Sequence, residues 1–305
     1  MEKQIIKLNP VFKDYLWGGT RLKTDYNMKS DLNKLAEAWV LSCHKDGESF
    51  DDNGKTLSEI IAENPDWLGE NGKSFDNFPI LTKLIDAKDN LSIQVHPDNE
   101  YALRVEGEYG KTEMWYVVDC DEGAYLYYGF KEKVSKQEFK AGIENNTLTD
   151  MLNKVYVKKG DCFFIQSGTI HAIGAGLLIA EIQQNSNTTY RVYDYGRLGV
   201  DGKPRQLHVD KALDVTVTDK AEHPIKNCSE SGKLFDCEYF KTELIKLNGE
   251  TTVTADNTSF VSVLVTDGEG KINGVDFVAG DSFFVPASFG QFTLFGNADI
   301  IVTRV

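Results

Sequence analysis

The chain has 305 residues, 41% of them hydrophobic, with 33 basic and 47 acidic side chains and a formal net charge of −14. That length holds one large or two modest domains at roughly 100–200 residues each, and a disordered bulk is excluded by the apolar content. The acid excess disfavours nucleic-acid and anionic-membrane binding, both of which need a basic face.

The N-terminal third mixes short patterns with loops. Asn9-Pro10 and Trp17-Gly18-Gly19-Thr20 are turn-like, and Ser30 to Trp39 is expected to form one short helix. The run from Thr56 has helical spacing and stops at Asn64-Pro65. Strands are expected at Ile80–Ile85, Leu91–His96, Glu113–Asp119 and Ala124–Phe130. Ser135 and Glu138 form an S-x-x-E capping box, which starts a helix, and Asn146–Leu152 reads as a second. Strands resume at Asn153–Val157, Asp161–Gln166, Leu177–Gln183 and Tyr190–Tyr193. After a polar linker over 216–235 they continue at Tyr239–Leu247, Thr251–Val253, Phe260–Val265 and Asp281–Val285. Many short strands between glycine turns predict a mainly β protein of sandwich or barrel type.

Two segments resemble each other without gaps. Gly160-Asp-Cys-Phe-Phe-Ile-Gln-Ser-Gly-Thr-Ile-His171 aligns with Gly280-Asp-Ser-Phe-Phe-Val-Pro-Ala-Ser-Phe-Gly-Gln291, and Asp119–Gly123 aligns with Thr266–Gly270. Two related β modules follow from this. The first, 1–225, has its helices inserted near 135–152; the second, 226–305, has Gln291 in place of His171 and Phe260 in place of Glu113, and so lacks metal ligands.

Cys43, Cys120, Cys162, Cys228 and Cys237 are odd in number and contain no C-x-x-C pair. They fit neither a disulfide framework nor a cysteine zinc site. With no signal-like start and no apolar run of about 18 residues, the expected address is a reducing cytoplasm.

Five histidines are present. On the strand expected at 91–96, Gln94 and His96 share a face while Ile93 and Val95 point the other way. His171 sits at the mouth of an expected strand pair. Glu113 opens an otherwise apolar strand, where a charge needs a partner. Two imidazoles, a carboxylate and an amide oxygen suit a zinc-like ion with an open position. The same residues, scattered along the chain, also fit four unrelated polar groups, each hydrogen-bonded in its own place. His208 and His223 read as surface residues, and His44 as a packed or pocket-edge residue. Lys111 shares a side with Glu113 on an extended chain, which makes sense beside an anion. Arg191 and Arg197 flank Val-Tyr-Asp-Tyr-Gly; a solvated ion pair is the ordinary role of such arginines.

Taken together, Pro10-Val-Phe-Lys-Asp-Tyr-Leu-Trp-Gly-Gly, Glu37-Ala-Trp39, Leu91-Ser-Ile-Gln-Val-His-Pro-Asp, Gly110-Lys-Thr-Glu-Met-Trp, Gly168-Thr-Ile-His-Ala-Ile-Gly and Glu181-Ile-Gln-Gln-Asn-Ser-Asn-Thr-Thr-Tyr-Arg191 resemble the type I phosphomannose isomerase family of the cupin superfamily, in its compact bacterial form. The resemblance implies two cupin-type β-sandwich or jelly-roll modules. It implies one zinc ion per chain, held by Gln94, His96, Glu113 and His171, and a catalytic Arg191. It places Ser92 and Lys111 near a substrate phosphate, with Lys111 also open to a part in proton transfer. Trp17 suits a sugar-stacking wall or the core equally. The reaction implied is the interconversion of mannose 6-phosphate and fructose 6-phosphate through an enediol. The partner is then a small phosphosugar, and the chain a monomer or homodimer. A two-histidine, one-carboxylate non-haem metal oxygenase and a non-catalytic sugar-phosphate binder are the alternatives.

Overall fold

The computed structural model describes residues 3–199, 202–222 and 226–305. Its centre is an antiparallel sheet in the order Lys226–Asn227, Asp161–Ile165, Glu113–Cys120, Leu177–Gln184, Ile80–Ala87, Glu37–Leu41 and Val11–Lys13. Its inner strands are nearly continuous apolar runs because both faces are covered. On Glu113–Cys120, Met114, Tyr116 and Val118 point to one core, whereas Trp115 and Val117 point to another.

The second core lies under a five-stranded antiparallel sheet. Its order is Leu152–Tyr156, Tyr125–Phe130, His171–Ile173, Ile93–Val95 and Tyr190–Tyr193. The helices Lys136–Glu144 and Leu148–Met151 fall between the paired strands Tyr125–Phe130 and Leu152–Tyr156, as expected of an insertion. The capping box forms: Glu138 N–H donates to Ser135 Oγ at 3.2 Å, and Ser135 N–H donates to Glu138 Oε2 at 2.7 Å. Phe139 and Ile143 fix the helix by burial against Phe130 and Leu152.

Most of residues 226–305 form a third sheet, in which Ser282–Val285, Val261–Ile272, Gly290–Arg304, Lys241–Ala255 and Gly232–Asp236 are neighbours. Ile6–Leu8 pairs with Ser282–Phe284 at its edge, so this sheet crosses the division drawn at 225/226. Its long strands fold the sheet over an apolar core of its own. Gly296 is the register partner of both Gly249 and Gly270. Positive φ at Gly249 and Gly296 lets the backbone bend where a side chain resists.

Three expectations change. Ser30–Trp39 is not a helix: residues 37–41 form a strand whose five residues are all buried between Val11–Lys13 and Ile80–Ala87. Tertiary pairing outweighs the local helical spacing there. The strands expected at 239–247 and 251–253 are one strand, Lys241–Ala255. Finally, Ile165 pairs with Glu113 and Val285 with Val261, so Val261, not Phe260, occupies Glu113's place in the second module. An alignment through the turns slips by one residue, since only the hydrogen-bond ladder sets register. The replacement is apolar in either case.

The two modules meet through Phe260, which stacks at 5.2 Å on Phe78 of the first and at 5.2 Å on Phe284 of the second. Phe260 is fully buried in the core shared by both. Phe260→Ala is expected to cost about 3–5 kcal/mol, read from denaturant unfolding of the metal-free protein. A loss below about 1 kcal/mol would show that the joint collapses around the gap.

Candidate functional site

Register assembles the site. Gln94 is the Cα partner of both His171 and Arg191, so these three form one row across the small sheet. Across from it on the central sheet, Trp115, Glu181, Lys83 and Trp39 form another row, and Glu113 pairs with Gln183. Cross-strand partners share a face, which puts the carboxylates and Lys83 inside the sandwich.

Three buried glutamates and two buried lysines occupy that interior. Lys83 Nζ lies 3.0 Å from Glu181 Oε1 and 3.9 Å from Glu37 Oε2. Lys111 Nζ lies 2.9 Å from Glu113 Oε2 and 3.6 Å from Glu181 Oε1. The indole N–H of Trp115 donates to Glu181 at 3.0 Å, and that of Trp39 to Glu37 at 2.6 Å. Burial opposes charge on Glu181, but Lys111 and Lys83 outweigh it and hold the carboxyl below the usual range. Glu113 goes the other way: burial, then the charge of Glu181, raises it despite Lys111.

The histidines are oriented from behind. His96 Nδ1 meets the Thr188 carbonyl at 2.9 Å, and His171 Nδ1 meets the Thr169 carbonyl at 2.8 Å. A carbonyl only accepts, so each Nδ1 carries the proton and each Nε2 presents a lone pair. Burial lowers the His171 pKa to about 4 and that of His96 well below its ordinary value, so both rings are neutral near pH 7. His96 Nε2 lies 3.7 Å from Glu113 Oε2, and His171 Nε2 lies 3.4 Å from Glu113 Oε1. The two Nε2 atoms and Glu113 Oε1 are buried without a hydrogen-bond donor. One donor atom from each of His96, Glu113 and His171 falls within a 4.8 Å cluster. Four ligands at about 2.1 Å in a tetrahedron stand roughly 3.4 Å apart, so the donor set and its spacing fit a zinc-like cation.

A cavity of about 270 Å³ opens beside this cluster, and Tyr15, Trp17, Ser92, Gln94, Lys111 and Arg191 are among its walls. Trp17 is buried, belongs to the apolar core and also lines the cavity. Ser92 Oγ stands 3.5 Å from Gln94 Oε1 and accepts from Arg191 Nε at 3.2 Å. Arg191 Nη1 donates to the Gln206 carbonyl at 3.1 Å. Asp194 binds both Arg205, at 2.7 and 2.6 Å, and Arg197. One carboxylate thus serves two of the three neighbouring guanidiniums, which leaves the cavity mouth positive.

Sequence reasoning missed Glu181, Lys83 and Arg205, all of which line the cavity. Glu181 and Lys83 carry the signal that flagged Glu113, a lone charge within an apolar strand. His208 is half-buried rather than a plain surface residue. Its Nδ1 accepts the Arg191 backbone N–H at 3.2 Å, a pairing no local pattern reveals. His44 is buried, and His223 lies outside the described residues. A larger hollow of about 580 Å³ borders His44 and Glu108, but unlike the smaller cavity it includes neither Lys111, the partner of Glu113, nor Gln94, the register partner of His171.

Residues 5–123 match the model of the phosphomannose isomerase type I catalytic domain, and residues 230–305 match that of the mannose-6-phosphate isomerase cupin domain. The probable mannose-6-phosphate isomerase GmuF of Bacillus subtilis is 38% identical, with 97% of this chain and 98% of that protein aligned. A mannose-6-phosphate isomerase of Streptococcus mutans is 37% identical over 95% of this chain and 94% of its own. The crystal structure of mannose 6-phosphate isomerase from Bacillus subtilis superposes with a TM-score of 0.89 at 36% identity, covering 99% of this chain and 100% of that one. Likeness of this extent, in sequence and in fold, makes the chain a member of the type I phosphomannose isomerase family.

Proposed function

We propose that the chain interconverts mannose 6-phosphate and fructose 6-phosphate at a zinc ion held by Gln94, His96, Glu113 and His171. The observation that carries this reading is the convergence of three buried, donorless acceptor atoms, the two Nε2 and Glu113 Oε1, beside a cavity with an arginine-rich mouth. When bound, zinc supplies a Lewis acid for the sugar's oxygens.

The protein's own groups account for the rest of the chemistry. Isomerisation moves one proton between C2 and C1: the C2–H pair forms the C1=C2 bond of an enediol, and the carbonyl oxygen takes up charge. Arg191 stays cationic and presents donors to that oxygen, a role suited to electrostatic stabilisation and not to proton abstraction. Glu37, Glu181, Lys83 and Lys111 are among the proton-exchanging groups that line the cavity. Ser92, Lys111 and the arginine cluster suit the phosphate dianion, and Trp17 with Tyr15 walls the sugar. The module of residues 226–305, with Val261 and Gln291 at the corresponding places, serves as a structural partner. All five cysteines are free and no helix among the described residues is long and apolar enough to cross a membrane, which supports the cytoplasm as its compartment.

A coupled assay with mannose 6-phosphate tests the reading. Turnover is expected, lost on chelation and restored by zinc. No turnover with metal fully loaded would refute it, and oxygen uptake with ferrous iron would revive the oxygenase alternative. Glu113→Ala and His171→Ala should each lose bound metal by elemental analysis; stoichiometric metal in both would remove them from the ligand set. Arg191→Ala should lower kcat by about 10²–10³-fold with metal content retained. A kcat within a few-fold of the parent would withdraw its assignment.

A further inference from the structure

The orientation of His96 depends on the Thr188 carbonyl, and Thr188 lies in a segment of irregular structure between Leu177–Gln184 and Tyr190–Tyr193. Gln183 Nε2 donates to the Ser186 carbonyl at 2.6 Å and Asn187 Nδ2 to Asp46 at 2.8 Å, but the side chain that binds the Thr188 hydroxyl is one half-buried carboxylate. Glu108 Oε2 accepts from Thr188 Oγ1 at 2.9 Å, from the Asn187 N–H at 3.2 Å and from Ser186 Oγ at 3.4 Å. Ser186 Oγ in turn accepts the Thr188 N–H at 3.2 Å. Three consecutive residues are thereby tied to a single side chain.

Glu108 is anchored from its other side. Its Oε1 accepts from His44 Nε2 at 2.9 Å and pairs with Lys45 at 3.4 Å. His44 Nδ1 accepts the Asp46 N–H at 3.1 Å, which leaves Nε2 as the protonated nitrogen. The His44 ring packs edge-on against Trp39 at 5.7 Å, and Trp39 is bound to Glu37. The His44 hydrogen bond, with those from Thr188 and Asn187, holds the Glu108 carboxyl at about 2 against its partial burial. Glu108 does not line the cavity that holds Arg191, whereas Asn187 and Thr189 do.

We infer that Glu108 is a positioning residue that, braced by His44, clamps Ser186–Thr188 so that the Thr188 carbonyl fixes the tautomer and orientation of His96. This rests on the metal reading above. A ligand's outer hydrogen-bond partner sets ring orientation and basicity, and its loss typically costs about 10–100-fold in metal affinity. Here the clamp acts one residue further out, through the backbone of the segment.

Zinc dissociation constants, measured by competition with a chromogenic chelator, test it on the parent, Glu108→Gln, Glu108→Ala and Glu113→Ala. Glu108→Ala is expected to bind zinc about 10–100-fold more weakly. Glu108→Gln, which keeps one acceptor, should fall between it and the parent. The metal-free Tm of Glu108→Gln should stay near the parent's, and its cobalt-loaded form should show a shifted d–d spectrum. If Glu108→Ala does not fold, the affinity and spectrum of Glu108→Gln decide the question. Affinities of the folded Glu108 variants within about two-fold of the parent, with Glu113→Ala losing the metal, would overturn the clamp and leave the metal reading intact. A parent that binds no zinc would overturn both.

Discussion

A carboxylate buried against two imidazole lone pairs is the constraint on which the rest of this structure depends. Glu113, His96 and His171 present acceptors to one another in a dry interior, where an unpaired charge is expensive. Each strand that carries one of them is therefore fixed in register and facing, since a slip of one residue exchanges these groups for Met114 or Ala172. The backbone carbonyls of Thr169 and Thr188 remove the remaining freedom by holding each Nδ1–H. Such a group of acceptors could hold a metal cation.

The surrounding charges follow from that demand. Glu37 and Glu181 are matched by Lys83 and Lys111 in the same interior, and both indoles of the row donate to the carboxylates. Buried ion networks of this kind add little net stability compared with apolar packing, so stability has to come from the double-sided cores of the central sheet. The second module supplies one of those cores, closing the outer face of the sheet through Phe260 and its neighbours. Charge is separated by distance as well. The molecule is strongly acidic as a whole, yet Arg197 and Arg205 share one carboxylate, that of Asp194, beside Arg191 at the cavity mouth, which makes a short-range positive field there.

Much of this was legible in the linear chain. Alternation on Ser92–His96 put Gln94 and His96 on one face, and Ser135 with Glu138 marked a helix start that the structure bears out. The lone charge in Glu113-Met-Trp-Tyr-Val-Val marked a buried partner-seeking group. Ser30–Trp39 misled because its spacing is helical, while Ala38, Trp39, Val40 and Leu41 all bury between neighbouring strands. The second module's register misled by one residue because turns vary in length and ladders do not.

By itself the sequence determined the strand-forming runs, the family resemblance and the identity of the candidate ligands, because these are local properties of composition, period and motif. Only the tertiary structure decided which charges meet. Lys83 and Glu181 are 98 residues apart yet become register partners, and Glu108 reaches His96 only through a loop held 80 residues further along the chain. Such pairings depend on how sheets stack and strands register, and that is set by burial across the whole fold rather than by any window of the chain.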